Sequence, residues 1–186
     1  VEIAKKYGVE LLVCSSLNRN SGTMVREKTK MEKMLISGVA ADKNVAKIRV
    51  AGLGNDPEST FRLLNLLDRN NLNIDVMIQS LGKDGTKSVS FTVAKPDMLR
   101  TIDVLNDNKD LLGIKKLDYD ENVAKVSVIG AGVRSHSGVA AKMFGALANA
   151  GINTEMVTTS EIRITALIDE AYADQAMRAI HETFLE

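Results

Sequence analysis

The sequence predicts an α+β protein built from two ferredoxin-like units, each a four-stranded antiparallel sheet with two helices on one face. The offset of 78 residues that takes Ile36 to Ile114 also takes Val45 to Val123, and a fixed offset of this kind marks an internal repeat. In both copies a glycine-bearing loop separates a strand-like segment from a segment with apolar residues at helical spacing. Later segments alternate apolar and polar residues, as strands with one buried face do.

Composition and charge restrict the functions open to this chain. Its 186 residues are 45% apolar and 26% charged, which suits one good core or two small ones. Lys plus Arg and Asp plus Glu number 24 each, so the basic surface of a nucleic-acid-binding protein is missing and no nucleic-acid partner is predicted. No apolar run approaches the ~20 residues of a membrane-spanning helix, so no membrane association is predicted.

The single cysteine and the first residue add two expectations. Cys14 cannot form an internal disulfide, which indicates a reducing cytoplasm, and it is expected to pack within a strand. The sequence begins with Val1, shows no signal peptide and is expected to be a fragment or trimmed piece of a longer protein.

The first 33 residues are predicted to be separate from the repeat. Residues 1–7 read as the end of an amphipathic helix that Gly8 stops, and residues 9–14 read as a buried strand. A polar loop over residues 15–23 and a charged linker over residues 26–33 follow.

The first unit starts with two strands joined by an Asp-x-Asn turn at residues 42–44, because Asp and Asn tolerate the backbone of tight reversals. Pro57 suits a first helical turn, where its missing N–H costs nothing. Four leucines between Leu63 and Leu67 predict a core helix. The predicted strands are 36–41, 45–51, 73–80 and 88–94, and the predicted helices are 57–70 and 96–106.

The second unit repeats this order. Its first helix presents one apolar face and ends before Gly151, which adopts positive φ easily; the face comprises Val139, Met143, Phe144, Leu147 and Ala148. The alternation of Ile162, Ile164, Ala166 and Ile168 predicts the last strand. The predicted strands are 114–119, 123–129, 152–157 and 162–168, and the predicted helices are 139–150 and 170–184.

The glycine-bearing loops are the candidate binding features. Neither Gly52-Leu-Gly54 nor Gly130-Ala-Gly132 has the third glycine of a dinucleotide-binding fingerprint. Loops at helix N-termini can still hold a carboxylate through free N–H groups, and nearby oxygens could hold an ammonium, so a small amino acid would fit. The alternative is that these polar groups only cap the helices. The oxygens available are those of Asn55, Asp56, Glu58, Asp75, Glu155 and Glu161.

Metal and hydrolase chemistry are not predicted. The two histidines, His136 and His181, lie 45 residues apart without cysteine or acidic residues at metal-ligand spacing. Neither a nucleophile elbow nor a phosphate-binding P-loop is present.

Several phrases resemble the regulatory region of aspartate kinase (aspartokinase), which carries tandem ACT domains. The most specific are Ala124-Lys-Val-Ser-Val-Ile-Gly-Ala-Gly-Val-Arg-Ser-His-Ser-Gly-Val-Ala140 and Thr159-Ser-Glu-Ile-Arg-Ile164. The segments 1–8 and 12–18 are similar to the last helix, strand and loop of the kinase domain in that family. The resemblance covers essentially the whole chain.

The resemblance implies a feedback module that binds lysine, threonine or both, in an enzyme that phosphorylates aspartate at the first step of lysine, threonine and methionine biosynthesis. Residues 1–33 would be the tail of the kinase domain and a linker, residues 45–120 the first ACT domain, and residues 34–44 with 121–186 the second. ATP and magnesium would belong to the kinase domain, so this chain is expected to contain no cofactor or metal and to show no catalysis alone. The implied partners are a second copy, in a homodimer, and the kinase domain or catalytic subunit.

Two effector sites are carried over from the family. The first would use the loop and a strand of unit one, with the main chain of two residues from unit two; its members are Asn55, Asp56, Pro57, Ser59, Thr60, Gln79, Ser80, Asn153 and Thr154. The second would use the loop and a turn of unit two; its members are Ser135, His136, Gly138, Ala140, Ser160 and Glu161. This chain has Asn55 and Glu58 where many relatives have Asp and Gly, which alters the first loop.

The sequence leaves the pairing of the opening strands open. The family inserts the first ACT domain in the second, so that residues 36–41 complete unit two and residues 114–119 complete unit one. The repeat alone equally allows each opening strand to pair with its own neighbour. Three functions remain open as well: an aspartokinase regulatory region, either part of the enzyme or a separate β-type subunit; a free-standing ACT sensor without a kinase; and a structural or RNA-binding ferredoxin-like protein.

Overall fold

The computed structural model describes residues 3–4, 7–14, 22–25, 36–131, 133 and 138–185. Contacts divide the chain into two units, Val1–Met34 and Leu35–Glu186. No helix within the described ranges is long and apolar enough to cross a membrane.

The N-terminal unit holds a two-stranded sheet. Strand β1, Leu11–Val13, pairs antiparallel with β2, Thr23–Val25. The prediction of a buried strand ending in a packed cysteine was wrong, because Val13 is 60% exposed and Cys14 is exposed. Within residues 3–4, 7–14 and 22–25 these strands have no second layer to bury against. Strand β2 was not predicted, since Thr23 was placed in a loop.

The larger unit contains two four-stranded antiparallel sheets, with strand orders β5-β6-β4-β7 and β3-β8-β10-β9. Its elements are β3 Gly38–Asp42, β4 Val45–Leu53, α1 Pro57–Arg69, β5 Met77–Leu81, β6 Lys87–Ala94, α2 Met98–Asp107, α3 Lys109–Leu112, β7 Lys116–Asp120, β8 Val123–Ile129, α4 Val139–Asn149, β9 Met156–Thr159, β10 Arg163–Asp169 and α5 Ala173–Leu185. The short helix α3 was not predicted. This α+β architecture is the one that the sequence predicts.

Each sheet is completed by a strand from the other repeat. Strand β3 pairs with β8, and β7 pairs with β4, so the opening strands are exchanged and do not pair with their own neighbours. The Asp-x-Asn segments therefore carry the chain from one sheet to the other. In each, the aspartate side chain accepts the asparagine N–H, at 2.9 Å in both Asp42–Asn44 and Asp120–Asn122. Among the described non-glycine residues only Asn71 has positive φ, so these turns do not use the left-handed backbone expected of them.

The first core lies between one face of the first sheet and helices α1 and α2. Val89, Phe91 and Val93 alternate into it as predicted and are at most 2% exposed. Leu63 and Leu67 of α1 are buried against them. Leu64 and Leu66 are only partly buried, because a helix presents one narrow stripe to a sheet and Leu63 and Leu67, four residues apart, occupy it.

The second core repeats this arrangement with α4 and α5. Val139, Met143 and Leu147 of α4 are buried as predicted. Ala148, predicted on the same face, is exposed. Ile162 is 60% exposed, because it lies in the turn before β10 and not in the alternating strand. Gly151 has φ of 72° after the helix, as expected.

Strands β5 and β9 start later than predicted, at Met77 and Met156. The chain before β5 lies along β6 in an irregular way: the Val76 N–H donates to Thr92 Oγ1 at 3.1 Å, and the Thr92 N–H donates to Val76 O at 2.9 Å. Thr92 is fully buried, and its hydroxyl takes the place of a backbone acceptor for the Val76 N–H. Regular pairing of β5 with β6 therefore begins only at Met77.

The larger unit has a first half, residues 45–120, and a second half, residues 36–44 and 121–185, each with one sheet, and the two halves meet around a local twofold axis. Val45 and Val123 occupy equivalent repeat positions and pack in one small buried cluster with Val76, Met156 and Leu167. This cluster lies apart from the two main cores and joins the sheets. The halves therefore share buried apolar surface in addition to exchanging strands.

Equivalent residues also pair with each other near this axis. Lys95 Nζ lies 2.8 Å from Glu170 Oε2, and the two residues directly follow the equivalent central strands β6 and β10. The Asn44 carbonyl accepts the Lys95 N–H, and the Asn122 carbonyl accepts the Glu170 N–H. Contacts that repeat in both directions are those expected beside a twofold axis.

Replacing Thr92 by valine should destabilise the protein by about 1–3 kcal/mol, because the buried Val76 N–H loses its acceptor. Chemical denaturation should show this loss of unfolding free energy. The control Thr92→Ser keeps the oxygen and should lose about 1 kcal/mol for the missing methyl group. Equal losses for the valine and serine variants would contradict the bridging role of the hydroxyl.

Candidate functional site

The loop before α1 is held by its own side chains. Asp56 caps the helix, and its Oδ1 accepts the Glu58 N–H at 3.0 Å and an Arg62 N–H at 3.0 Å. Desolvation would raise the pKa of the Asp56 carboxyl, but hydrogen bonds from Arg62 and from backbone N–H groups outweigh it and lower the pKa below the usual value. Asp56 is therefore ionised and already has a cationic partner.

The carbonyl groups of this loop also have donors within the chain. Ser59 is 4% exposed, and its hydroxyl donates to Gly54 O at 2.6 Å. Lys87 donates from Nζ to Asp56 O at 2.7 Å and lies 3.4 Å from Ser59 Oγ. Sequence reasoning missed Lys87. Lys87 lies at the start of β6, in register with Leu53. Strand alternation therefore places its side chain on the helix face of the sheet, and this alternation is the feature that could have identified it.

The loop and the edge strand β5 meet through one side-chain contact between two predicted site residues. Thr60 Oγ1 donates to Gln79 Oε1 at 2.7 Å. Gln79 is in register with the core residue Val89, so it faces the helices. Ser80, predicted in the same site, is in register with Ser88 and faces the opposite side of the sheet.

The remaining members of the first predicted site lie on two separate surfaces. Asn55 and Pro57 are exposed on the loop before α1. Asn153 and Thr154 are in the other half, where they line a cavity of about 410 Å³ beside Phe144. Among the described residues, no hydrogen bond joins these two pairs.

The second predicted site is described in part. Ser135 and His136 lie outside the described residues. Gly138 precedes α4 with φ of 104°, and Ala140 packs on the second core. The Gly130 N–H donates to Ile162 O at 2.9 Å, which brings the start of this loop beside the turn that carries Ser160 and Glu161. The Ser160 hydroxyl lies 3.3 Å from Arg163 O.

Two ion pairs connect the halves reciprocally. Lys47 of the first half pairs with Glu155 of the second, and Lys125 of the second pairs with Asp75 of the first. The two lysines are equivalent in the repeat, and so are the two carboxylates. Lys125 also pairs with Asp42 at 3.0 Å. Glu155 immediately follows Thr154, so the predicted site residues there are one residue from a link to the other half.

The pKa values of Lys125 and Asp42 are both shifted by their surroundings. Desolvation would lower the pKa of Lys125, but hydrogen bonds and Coulomb attraction from Asp75 and Asp42 outweigh it and raise the pKa. For Asp42, desolvation would raise the pKa, and the hydrogen bonds from Lys125 and the Asn44 N–H lower it on balance. Lys125 and Asp42 are therefore both charged at neutral pH.

Sequence comparison finds relatives along the whole chain. The model of the ACT domain family matches residues 126–184. Aspartokinase of Pseudomonas aeruginosa is 37% identical over 187 residues, which cover 99% of this chain and 45% of that protein. Aspartokinase of Helicobacter pylori is 40% identical over 189 residues, which cover 99% and 46%. The chain thus spans less than half the length of these curated relatives.

Structure comparison finds regulatory subunits of the same architecture. A crystal structure of aspartokinase alpha and beta subunits contains a chain with a TM-score of 0.75 and 42% identity, covering 80% of this chain and 98% of that one. The ligand-free regulatory subunit of aspartate kinase from Thermus thermophilus has a TM-score of 0.76 and 33% identity, covering 81% and 99%. Aspartokinase III of E. coli in complex with lysine and aspartate shares the fold at 23% identity, with a TM-score of 0.76, covering 98% and 40%.

Replacing Lys125 by methionine should lower the free energy of unfolding at pH 7 by about 1 kcal/mol, because its carboxylate partners are about half exposed and solvent screens them. That loss corresponds to about 2–4 °C in Tm. The exposed pair of Lys116 with Asp118 provides the control, and Lys116→Met should change stability by less than about 0.5 kcal/mol.

The pH dependence of this difference follows from the signs of the shifts. The raised pKa of Lys125 gives stability that is present below about pH 10 and lost as pH rises through the folded value. The lowered pKa of Asp42 gives stability that is present above about pH 4 and lost as pH falls through the folded value. Thermal melts of the wild type and Lys125→Met should therefore converge at both extremes, and a constant gap from pH 3 to pH 11 would contradict the pairing.

Proposed function

This chain belongs to the aspartokinase family as a regulatory region with ACT domains, and on that premise we propose that it senses free lysine, threonine or both. Effector binding would inhibit a kinase domain or catalytic subunit that converts aspartate to aspartyl phosphate. That reaction is the first step of lysine, threonine and methionine biosynthesis, so the inhibition would be feedback. ATP and magnesium belong, in this proposal, to the kinase partner. We place the process in the cytoplasm, in keeping with the single Cys14.

The contact of Thr60 with Gln79 is the observation that carries the proposal. It places two polar side chains at the first turn of α1 and on an exposed edge strand. The helix N-terminus presents the positive end of its dipole to an effector carboxylate. Gln79 and Asn55 offer amide oxygens for the effector ammonium. A carboxylate and an ammonium on one carbon atom are what every free amino acid presents.

A second copy of the chain would complete this site. Asn153 and Thr154, expected to hold the effector main chain, lie in the other half next to β9. Strands β5 and β9 are both outer strands of their sheets, and each has one side free for pairing. We propose that β5 of one copy lies beside β9 of another, which brings Gln79 close to Asn153 twice in a symmetric dimer.

The altered first loop bears on which effector binds. Asn55 is uncharged, and the Asp56 carboxylate is occupied by Arg62. Lys87 adds a positive charge beside the Asp56 carbonyl. An effector with a cationic side chain would meet little free negative charge in this loop, which favours threonine here. Lysine is a candidate as well, because E. coli aspartokinase III, a protein of the same fold, binds it.

Threonine or lysine should raise the Tm of the chain by several degrees. A ligand at a hundredfold excess over Kd adds about 2.7 kcal/mol to the native state when it does not bind the unfolded chain. Thermal-shift measurements with all twenty amino acids, followed by calorimetry on those that shift the melt, would measure this. The proposal fails if neither threonine nor lysine shifts the melt at millimolar concentration.

Substitutions in β5 and in the loop before α1 should test the roles of Gln79 and Asn55. Gln79→Ala should weaken effector binding about tenfold, whereas the matched control Ser80→Ala should leave it unchanged, because Ser80 faces the other side of the sheet. Asn55→Asp should strengthen binding, since a charge-assisted hydrogen bond is roughly twice as strong as a neutral one. Equal effects of the two alanine substitutions in calorimetry would argue against a site on the helix face.

The chain should form a homodimer or a larger even assembly at tens of micromolar. Sedimentation velocity measures this with and without threonine and lysine. Leu81→Pro, in the outer strand β5, should weaken the assembly, because the hydrogen bonds of Val76 and Gly82 with β6 place the Leu81 N–H on the free edge and proline cannot donate to a strand ladder there. A monomer under all these conditions would contradict a site shared between copies.

A further inference from the structure

A polar cleft of about 350 Å³ lies on the second sheet, on the face turned away from helices α4 and α5. Strands β3, β8, β9 and β10 supply most of its lining, and Asp75 and Val76 of the first half supply the rest. Of the two predicted effector sites, this cleft shares only Ser160. It is therefore a separate concave surface, formed where the two halves meet.

A buried pair of hydroxyl groups lines this cleft. Ser127 Oγ and Thr165 Oγ1 are 2.8 Å apart, and each residue is 6% exposed. Two hydroxyls carry two O–H donors, and their mutual bond uses one of them. The hydrogen bonds found among the described residues give the second donor no acceptor. Thr158 stands opposite Thr165 across β9 and β10 and adds a third hydroxyl to the cleft.

The charges of the cleft are separated along the strands. Arg163 lies at one end, and no ion-pair partner for it occurs in the described part of the chain. At the other end Lys125 is shared between Asp42 and Asp75, so two carboxylates face one ammonium and a negative charge is left over. In the sheet register Arg163 lies opposite Ile129 and Asp42 lies opposite Lys125, so the backbone positions of the two ends are four residues apart along β8, about 13 Å. Ser127 lies midway, about 7 Å from Lys125 along the strand, which matches the distance between the carboxylate and the ammonium of an extended lysine.

We propose that this cleft binds a free α-amino acid that carries a second, cationic group on its side chain. The ligand carboxylate would accept hydrogen bonds from Arg163 and from the Ser127–Thr165 pair. Its cationic end would lie between Asp42 and Asp75 and would share them with Lys125. Charge-assisted hydrogen bonds at both ends, in a partly desolvated cleft, are the strong kind.

The charge pattern argues against other small ligands. A phosphate or a dicarboxylate would meet Asp42 and Asp75 at one end, where like charges repel. A neutral amino acid would leave the excess negative charge without a partner. Because Asp75 comes from the first half and the other groups from the second, a ligand of this length would also connect the halves.

Threonine methyl groups report on the cleft and on the loop sites separately. The chain labelled with carbon-13 at threonine methyls would be titrated with lysine and followed by NMR. Thr158 and Thr165 lie in the cleft, and Thr60 and Thr154 lie in the proposed effector site. Lysine should shift the signals of Thr158 and Thr165. Norleucine, which lacks the side-chain ammonium, and cadaverine, which lacks the carboxylate, should each bind there at least tenfold more weakly.

Substitutions at the two ends should act on different ligand groups. Arg163→Gln should weaken lysine binding, measured at the Thr158 and Thr165 signals, at least tenfold. The control Arg178→Gln removes an exposed arginine of α5, outside the cleft, and should leave binding unchanged. Asp75→Asn should weaken the binding of lysine and leave the affinity for norleucine unchanged.

Three results would overturn the proposal. Lysine that moves only Thr60 and Thr154 would leave the loop sites standing and refute the cleft. If norleucine or cadaverine bound with the same affinity as lysine, measured at the Thr158 and Thr165 signals, recognition at both ends of the ligand would be refuted. Unchanged affinity in Arg163→Gln, in a variant with wild-type Tm, would show that the guanidinium does not hold the ligand.

Discussion

The exchange of strands β3 and β7 between the two repeats is the constraint on which the rest of the larger unit depends. The first sheet is complete within residues 45–120, whereas the second combines β3 with β8, β9 and β10, which lie on the other side of that stretch in the sequence. The short Asp-x-Asn links then hold the sheets close together, which lets Val45 and Val123 meet in a shared buried cluster. The two halves are therefore joined by short links and a shared buried cluster, with local twofold order.

This arrangement gives a physical route between a ligand and the other half of the molecule. Asn153 and Thr154 precede Glu155, whose carboxylate pairs with Lys47 across the boundary. A ligand that fixes the main chain at these residues would also fix one end of that ion pair. The reciprocal pair of Lys125 with Asp75 gives the same connection in the opposite direction. Coupling through two equivalent contacts would suit the sensing role proposed above.

The loop before α1 illustrates how local chemistry and strand geometry decide a site together. Its residue types could be recognised from the sequence as suitable for an amino acid. Strand alternation then assigns Gln79 to the helix face and Ser80 to the opposite face, and Lys87 reaches the loop from the neighbouring strand β6. Lys87, which is distant from the loop in sequence, thus changes the charge of the loop. A search for motifs within the loop does not reveal this contribution.

Local patterns in the sequence determined the repeat, the α+β class, most helices and strands and the two apolar faces, because each depends on residues within one turn or one strand. The cleft of Arg163, Ser127 and Asp75, the partners of Lys125 and the side on which Ser80 faces were decided only by the tertiary structure. Each of these depends on register and pairing between segments far apart in the chain. Such pairings are set by the sum of many weak contacts across the whole unit, and no short stretch of sequence contains them.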